Sequence, residues 1–201
     1  MRNSIFPKRE PGSNSWLLSF SWEQRELGEI CNSFAYGLNA AAKPYDGENK
    51  YIRITDIVDD SRIFSQEDLT SPDVDLDKAE QYKLQHGDIV FARTGASVGK
   101  TYLFDNQDGT VYYAGFLIRA KVNTGNSADF VFQATLSEQY RRFITITSQR
   151  SGQPGVNAQE YSEWQLYIPP EQSEQQKIGR LFKSLDRLIT LHQREQIFDE
   201  L

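Results

Sequence analysis

The sequence predicts an α+β fold with a mixed sheet, followed by one long C-terminal helix. Three observations carry that expectation. Short β-rich runs outnumber helical runs as far as Pro170. Strand and helix runs do not alternate in the regular way that a parallel βαβ protein requires. From Pro170 onward the apolar spacing turns helical and stays so.

Each element follows from a local pattern. Residues 1–20 carry Pro and Gly punctuation and no apolar period, so they read as a lead-in to a domain spanning 21–169. Residues 22–30 predict a short helix. Residues 50–58 alternate with β-branched residues and predict a strand. The stretch 59–80 is acidic and loop-like, broken at Ser71-Pro72. A turn at 84–88 feeds a strand ending near Gly95. Residues 101–104 and 111–122 give two further strands, separated by the turn Asp105-Asn-Gln-Asp-Gly109. Phe132, Leu136, Tyr140, Phe143 and Ile144 recur at helical spacing and predict one helix over 129–146. A Gly/Pro/Asn loop over 148–159 precedes a strand at 164–168.

The terminal segment, 170–201, is the most informative. Pro169 and Pro170 suit a helix entry, and Ser173 with Gln176 matches a capping box. Ile178, Leu181, Phe182, Leu185, Leu188 and Ile189 then share one face. Such a helix extends about 45 Å at about 1.5 Å per residue. An apolar seam of that length predicts a partner.

Composition narrows the function classes. With 38% apolar residues and a mean hydropathy of −0.60, the chain is a soluble, foldable protein. No apolar run is long enough to span a membrane, and the N-terminus lacks the apolar core of a secretory signal. Cys31 is the single cysteine, which fits a reducing cytoplasm, and with His86 and His192 apart no zinc constellation exists. The net charge of −6 is uneven: residues 59–88 hold nine acids against three bases, which accounts for all of it. Residues 89–150 hold seven bases against four acids. A phosphate-facing surface needs local positive potential rather than a basic total.

The motifs point away from catalysis. Gly95-Ala-Ser-Val-Gly99-Lys100-Thr101 has three residues between its glycines where a phosphate loop has four, and it lies between strands rather than opening a helix. Arg93, Thr94, Ser97 and Lys100 instead make a loop rich in groups that can meet phosphates or base edges. Arg150, Ser151, Gln153 and Asn157 lie on a second loop; Asn and Gln can read adenine and Arg can read guanine. Ile168-Pro-Pro-Glu171 lacks the amide before and the aromatic after its prolines that an amino-methyltransferase loop carries. Pro72-Asp73 is not followed by the Asp/Glu-x-Lys triplet of a metal nuclease.

In order, Trp22-Glu-Gln-Arg-Glu-Leu-Gly, Tyr51-Ile-Arg-Ile-Thr-Asp-Ile, the run from Gly87 to Lys100, Ser151-Gly-Gln-Pro-Gly-Val-Asn157 and the run from Ile168 to Ile178 resemble the specificity (S) subunits of type I restriction-modification systems. The resemblance implies a non-catalytic DNA target-recognition domain followed by a coiled-coil-forming spacer helix. It implies double-stranded DNA, methyltransferase (M) subunits and endonuclease (R) subunits as partners. S-adenosylmethionine and ATP would then sit on those partner subunits, with no cofactor on this chain. Loop chemistry and resemblance together assign DNA contacts to Arg93, Thr94, Ser97 and Lys100, and to Arg150, Ser151, Gln153 and Asn157, with Tyr36 and Arg53 added. One recognition domain and one helix stand here where the typical subunit has two of each, so self-association through the helix is expected. The acidic stretch 59–88 motivates a second reading, an adaptor or inhibitory half-subunit that binds the methyltransferase without productive DNA binding.

Overall fold

The computed structural model describes residues 22–149 and 154–199. The lead-in, Arg150, Ser151 and Gln153 therefore lie outside the described residues. In chain order the elements are β1 (Glu23–Glu26), α1 (Leu27–Ile30), β2 (Cys31–Tyr36), β3 (Ala42–Pro44), β4 (Asn49–Ile52) and β5 (Thr70–Pro72). There follow β6 (Asp88–Ala92), β7 (Thr101–Leu103), β8 (Thr110–Tyr113), β9 (Leu117–Val122), α2 (Ala128–Ala134), α3 (Glu138–Ser148), α4 (Ala158–Ser162), β10 (Gln165–Ile168) and α5 (Gln172–Asp199).

The central sheet runs β2-β9-β6-β7 and is antiparallel throughout. The mixed character comes from elsewhere: β4 and β8 form a separate parallel pair, with β1–β10 and β3–β5 as short antiparallel ribbons. Strand β6 reads Asp-Ile-Val-Phe-Ala and is buried at every position. A continuous apolar run suits a strand covered on both faces. Ile89 and Phe91 point into a core with Phe130, Tyr140, Tyr161 and Trp164 from the helical layer and its flanks. Val90 and Ala92 point the other way, into a core with Ile52, Phe64, Val111 and Tyr113.

Several predicted elements change length, each for a nameable reason. Residues 22–30 are not one helix; Glu23 to Glu26 pair with β10, and only one helical turn remains. Tertiary pairing overrides helix propensity there. The strand predicted at 50–58 stops at Ile52 because Asp56 accepts the Arg53 N–H at 2.9 Å and closes a 3-10 turn. The run 111–122 splits at a turn in which Leu117 N–H donates to Ala114 C=O at 2.8 Å, sending β8 to β4 and β9 into the central sheet. The helix predicted at 129–146 is two helices, the second started by the Ser137 hydroxyl, which accepts the Tyr140 N–H at 3.2 Å. Inside the predicted 148–159 loop, Asn157 and Glu160 form a reciprocal capping box that opens α4. The break at Ser71-Pro72 is the short strand β5.

Helix α5 begins at Gln172, so Ser173 lies inside its first turn rather than capping it. Its start is built into the domain. Gln175 is buried, accepts the Ser127 N–H at 2.9 Å and donates to Pro169 C=O at 2.8 Å. Ile178 packs against the helical core, and Gly179 presses on α2. Leu181, Phe182, Leu185, Leu188 and Ile189 are all exposed. Among the described residues no helix is long and apolar enough to cross a membrane, and no metal-binding cluster of His, Cys, Asp or Glu occurs.

Candidate nucleic-acid interface

Strand β6 delivers Arg93 to the end of the sheet, just past Ala92, where three segments meet. The Arg93 N–H donates to Phe116 C=O at 3.0 Å, and its own carbonyl accepts the Val156 N–H at 2.9 Å. Thr94 bridges Gly155, and the Gly95 N–H donates to Pro154 C=O at 3.1 Å. Tyr161 on α4 holds the arrangement from below, its hydroxyl donating to Ala92 C=O at 2.7 Å. The two loops singled out from sequence are therefore joined by backbone hydrogen bonds rather than merely near each other.

Tyr36, at the end of β2, completes the junction. The Arg93 guanidinium carbon lies 5.1 Å from the Tyr36 ring centroid, a cation–π distance. The Tyr36 hydroxyl accepts the Ala158 N–H at 3.3 Å, which ties the ring to the start of α4. Beside them opens a cleft of about 470 Å³ lined by Tyr36, Tyr51, Arg53, Arg93 and Phe116, among others, and its charged lining residues are both arginines. Phe116 is 59% exposed, an apolar ring held out at the cleft. Sequence reasoning missed it, because it lies within what reads as one unbroken strand.

The other predicted residues divide. Ser97 sits in the 3-10 turn Gly95–Ser97, and Thr94 precedes that turn. Lys100 is turned away from solvent: its side chain is 15% exposed and its ammonium lies 2.7 Å from Asp59, holding that carboxyl below the usual range. Arg53 lines the cleft, but its Nε and Nη2 each donate to Asp56 at 2.9 Å. Asn157 commits its Oδ1 to the Glu160 N–H at 2.9 Å as the α4 cap. The loop from Arg93 to Lys100 joins antiparallel strands and leads into no helix, which rules out a phosphate-loop geometry. Gly99 is required within it: φ is +83°, and a Cβ there would lie 2.7 Å from the Ile144 side chain.

A second groove, of about 300 Å³, is lined by His86, Asp88, Lys121, Asp129 and Arg180, among others. It mixes both signs of charge, and Asp88 in it is buried, which pushes its carboxyl up. In the first cleft, by contrast, both charged lining residues are cationic.

A family model described as the type I restriction modification DNA specificity domain matches residues 21–198. No curated protein matches the chain. Among solved structures, the fold is similar to the type I restriction-modification S subunit from M. genitalium, with a TM-score of 0.63 and 18% identity over 89% of this chain and 42% of that one. It is similar to the HsdS subunit from Thermoanaerobacter tengcongensis, with a TM-score of 0.61 and 18% identity over 90% of this chain and 46% of that one. A chain from a structure on complex assembly and conformational transition of the type I R-M system gives a TM-score of 0.65 at 14% identity, over 96% of this chain and 44% of that one. The chain spans less than half the length of each of these solved chains.

Proposed function

The chain belongs to the family of type I restriction modification DNA specificity domains, and on that premise we infer that it is a non-catalytic reader of one half-site of double-stranded DNA. The observation that carries the reading is the convergence of Tyr36, Arg93 and Phe116 on one cleft whose charged lining residues are both arginines. Cationic side chains supply the sequence-independent attraction to phosphate. Base edges are read by donors and apolar groups held rigidly enough to discriminate. The Thr94 and Ser97 hydroxyls position the duplex beside the cleft. Arg150, Ser151, Gln153 and Asn157 are assigned as further DNA contacts on side-chain chemistry alone, since Asn and Gln can read adenine and Arg can read guanine.

In this reading the exposed face of α5 is a pairing surface. Two copies joined antiparallel by Leu181, Phe182, Leu185, Leu188 and Ile189 present two identical clefts, which suits an interrupted palindrome. Ile178 roots the seam in the domain. The paired helices set the spacing between half-sites and offer methyltransferase subunits a platform, with endonuclease subunits joining through them. S-adenosylmethionine and ATP act on those partner subunits, and this chain positions them.

The test is a mobility-shift assay of the full chain against a mixed population of random duplexes, with and without a methyltransferase subunit. Retention of a sequence-selected fraction, present with the partner, is the expected result. Methyltransferase binding with no DNA retained under either condition would replace the reading with that of an adaptor.

A further inference from the structure

Building on the cleft as a DNA-facing surface, we propose that Arg93 specifies a guanine there, donating to its O6 and N7, and that Tyr36 is its positioning residue. Availability favours Arg93. Arg53 spends two donors on Asp56, and Lys100 is paired with Asp59 at 2.7 Å. Among the described residues no carboxylate lies within ion-pair distance of Arg93. Of these three cations, Arg93 alone has no hydrogen-bond or ion-pair partner for its guanidinium among the described residues.

Rigidity favours it as well. A phosphate contact tolerates a swinging side chain, since charge at roughly the right distance suffices. A base-edge contact needs the donor fork held to within about 0.5 Å and 10–20°. The backbone of Arg93 is clamped on both sides, by Phe116 and by Val156, and its guanidinium is braced on Tyr36. Tyr36 is fixed in turn by the Ala158 N–H.

The chemistry of the fork selects the base. In the major groove guanine presents two acceptors, O6 and N7, side by side. Adenine and cytosine each place an amino donor on that edge, which an arginine cannot accept. A clamped guanidinium with parallel N–H groups therefore favours guanine.

The test is selection from random-sequence duplexes with the full chain and its methyltransferase subunit, run for wild type, Arg93→Ala, Arg93→Lys, Tyr36→Ala and Tyr36→Phe. Melting curves confirm that each variant is folded. Wild type should enrich a motif containing an obligate guanine. Both Arg93 variants should lose that one position and keep the rest, with binding to the wild-type motif falling roughly 10- to 100-fold. Replacing that guanine by 7-deazaguanine should weaken wild type and leave Arg93→Ala unchanged. Tyr36→Ala should blur the same position, and Tyr36→Phe, which keeps the ring but loses the hydroxyl tied to the Ala158 N–H, should blur it less. If wild type enriches a motif that Arg93→Ala also enriches, with uniformly weaker binding and a shallower salt dependence, Arg93 is a phosphate contact and the inference falls while the DNA-reading function stands. If wild type enriches no motif, the underlying function fails and this inference with it.

Discussion

Over its first two turns α5 is part of the domain: Gln175 is buried with bonds to Ser127 and Pro169, and Gly179 lies directly on α2. From Leu181 to Ile189 the same helix carries five large apolar side chains that are 43–62% exposed. Both stretches belong to one amphipathic pattern, yet one is satisfied within the chain and the other is not. The difference lies in what the rest of the domain sets against the helix at each level. Where α5 meets α2 the sequence places a glycine, because the α2 backbone fills the space a side chain would need. Where it places Leu and Phe, nothing within the described residues covers them. Periodicity tells which face is apolar; the close approach to α2 at Gly179, beside the packed Ile178, marks the part already occupied.

The largest effect should come from filling the occupied part. A Cβ on Gly179 would lie 2.8 Å from both the Asp129 Cβ and the Phe130 nitrogen, and neither can swing aside as a flexible side-chain end would. Gly179→Leu should destabilise the fold by about 1–3 kcal/mol net of its better helix propensity. At roughly 2–4 °C per kcal/mol for a domain of this size, calorimetry should record a clear fall in Tm. An unchanged Tm would mean that the first half of α5 is not rigidly docked. Next comes Gln175→Ala, which strands the buried Ser127 N–H and costs about 1–3 kcal/mol in urea denaturation.

How much of this was legible follows from where each signal is local. The terminal helix, strand β6 and the Arg93–Lys100 loop are written in consecutive residues, and the structure forms each of them there. The capping box of Asn157 and Glu160 was equally local and was overlooked inside a Gly/Pro-rich stretch. The fate of 22–30 and the split of 111–122 were not legible, because each depends on a strand far away in sequence. The same holds for the cleft. Residue types picked out Arg93 and Lys100 on their loop, with Tyr36 and Arg53 added; only the positions of Asp56 and Asp59 separate the committed cations from Arg93. Phe116 was hidden because its exposure comes from the turn that divides β8 from β9.

At the boundary between the two halves of α5 stands Lys183, 3.0 Å from Asp105 and 3.7 Å from Asp129. This pair is partly exposed, so Lys183→Ala should cost less than about 1 kcal/mol, and less again in high salt. The hydrogen bond from Lys183, and then that from the Gln107 N–H, hold the Asp105 carboxyl below its usual range. A carboxylate depressed in the folded state contributes stability above its unfolded value, near pH 4, and loses it as pH falls through the folded value. The stability gap between wild type and Lys183→Ala should thus be present at pH 7 and close in strong acid. A gap that persists at low pH would point to lost packing of the lysine stem instead.

The smallest effect on stability should come from the exposed half, and it discriminates most sharply between the two environments. Leu188 is 62% exposed, so Leu188→Glu removes little buried area and introduces a good helix former. Its Tm should stay within the range expected of a surface change, about 0.5 kcal/mol. Association should respond differently. If two copies pair through this face, a glutamate at the seam faces its counterpart or an apolar neighbour on the other copy, and burying it unpaired is costly. Sedimentation of the full chain should then show a concentration-dependent dimer for wild type and a monomer for Leu188→Glu, at matched stability. Wild type that remains monomeric at every concentration would remove self-pairing from the account. The exposed seam would then belong to a partner of another kind, and the test would pass to whether Leu188→Glu weakens binding of the methyltransferase subunit.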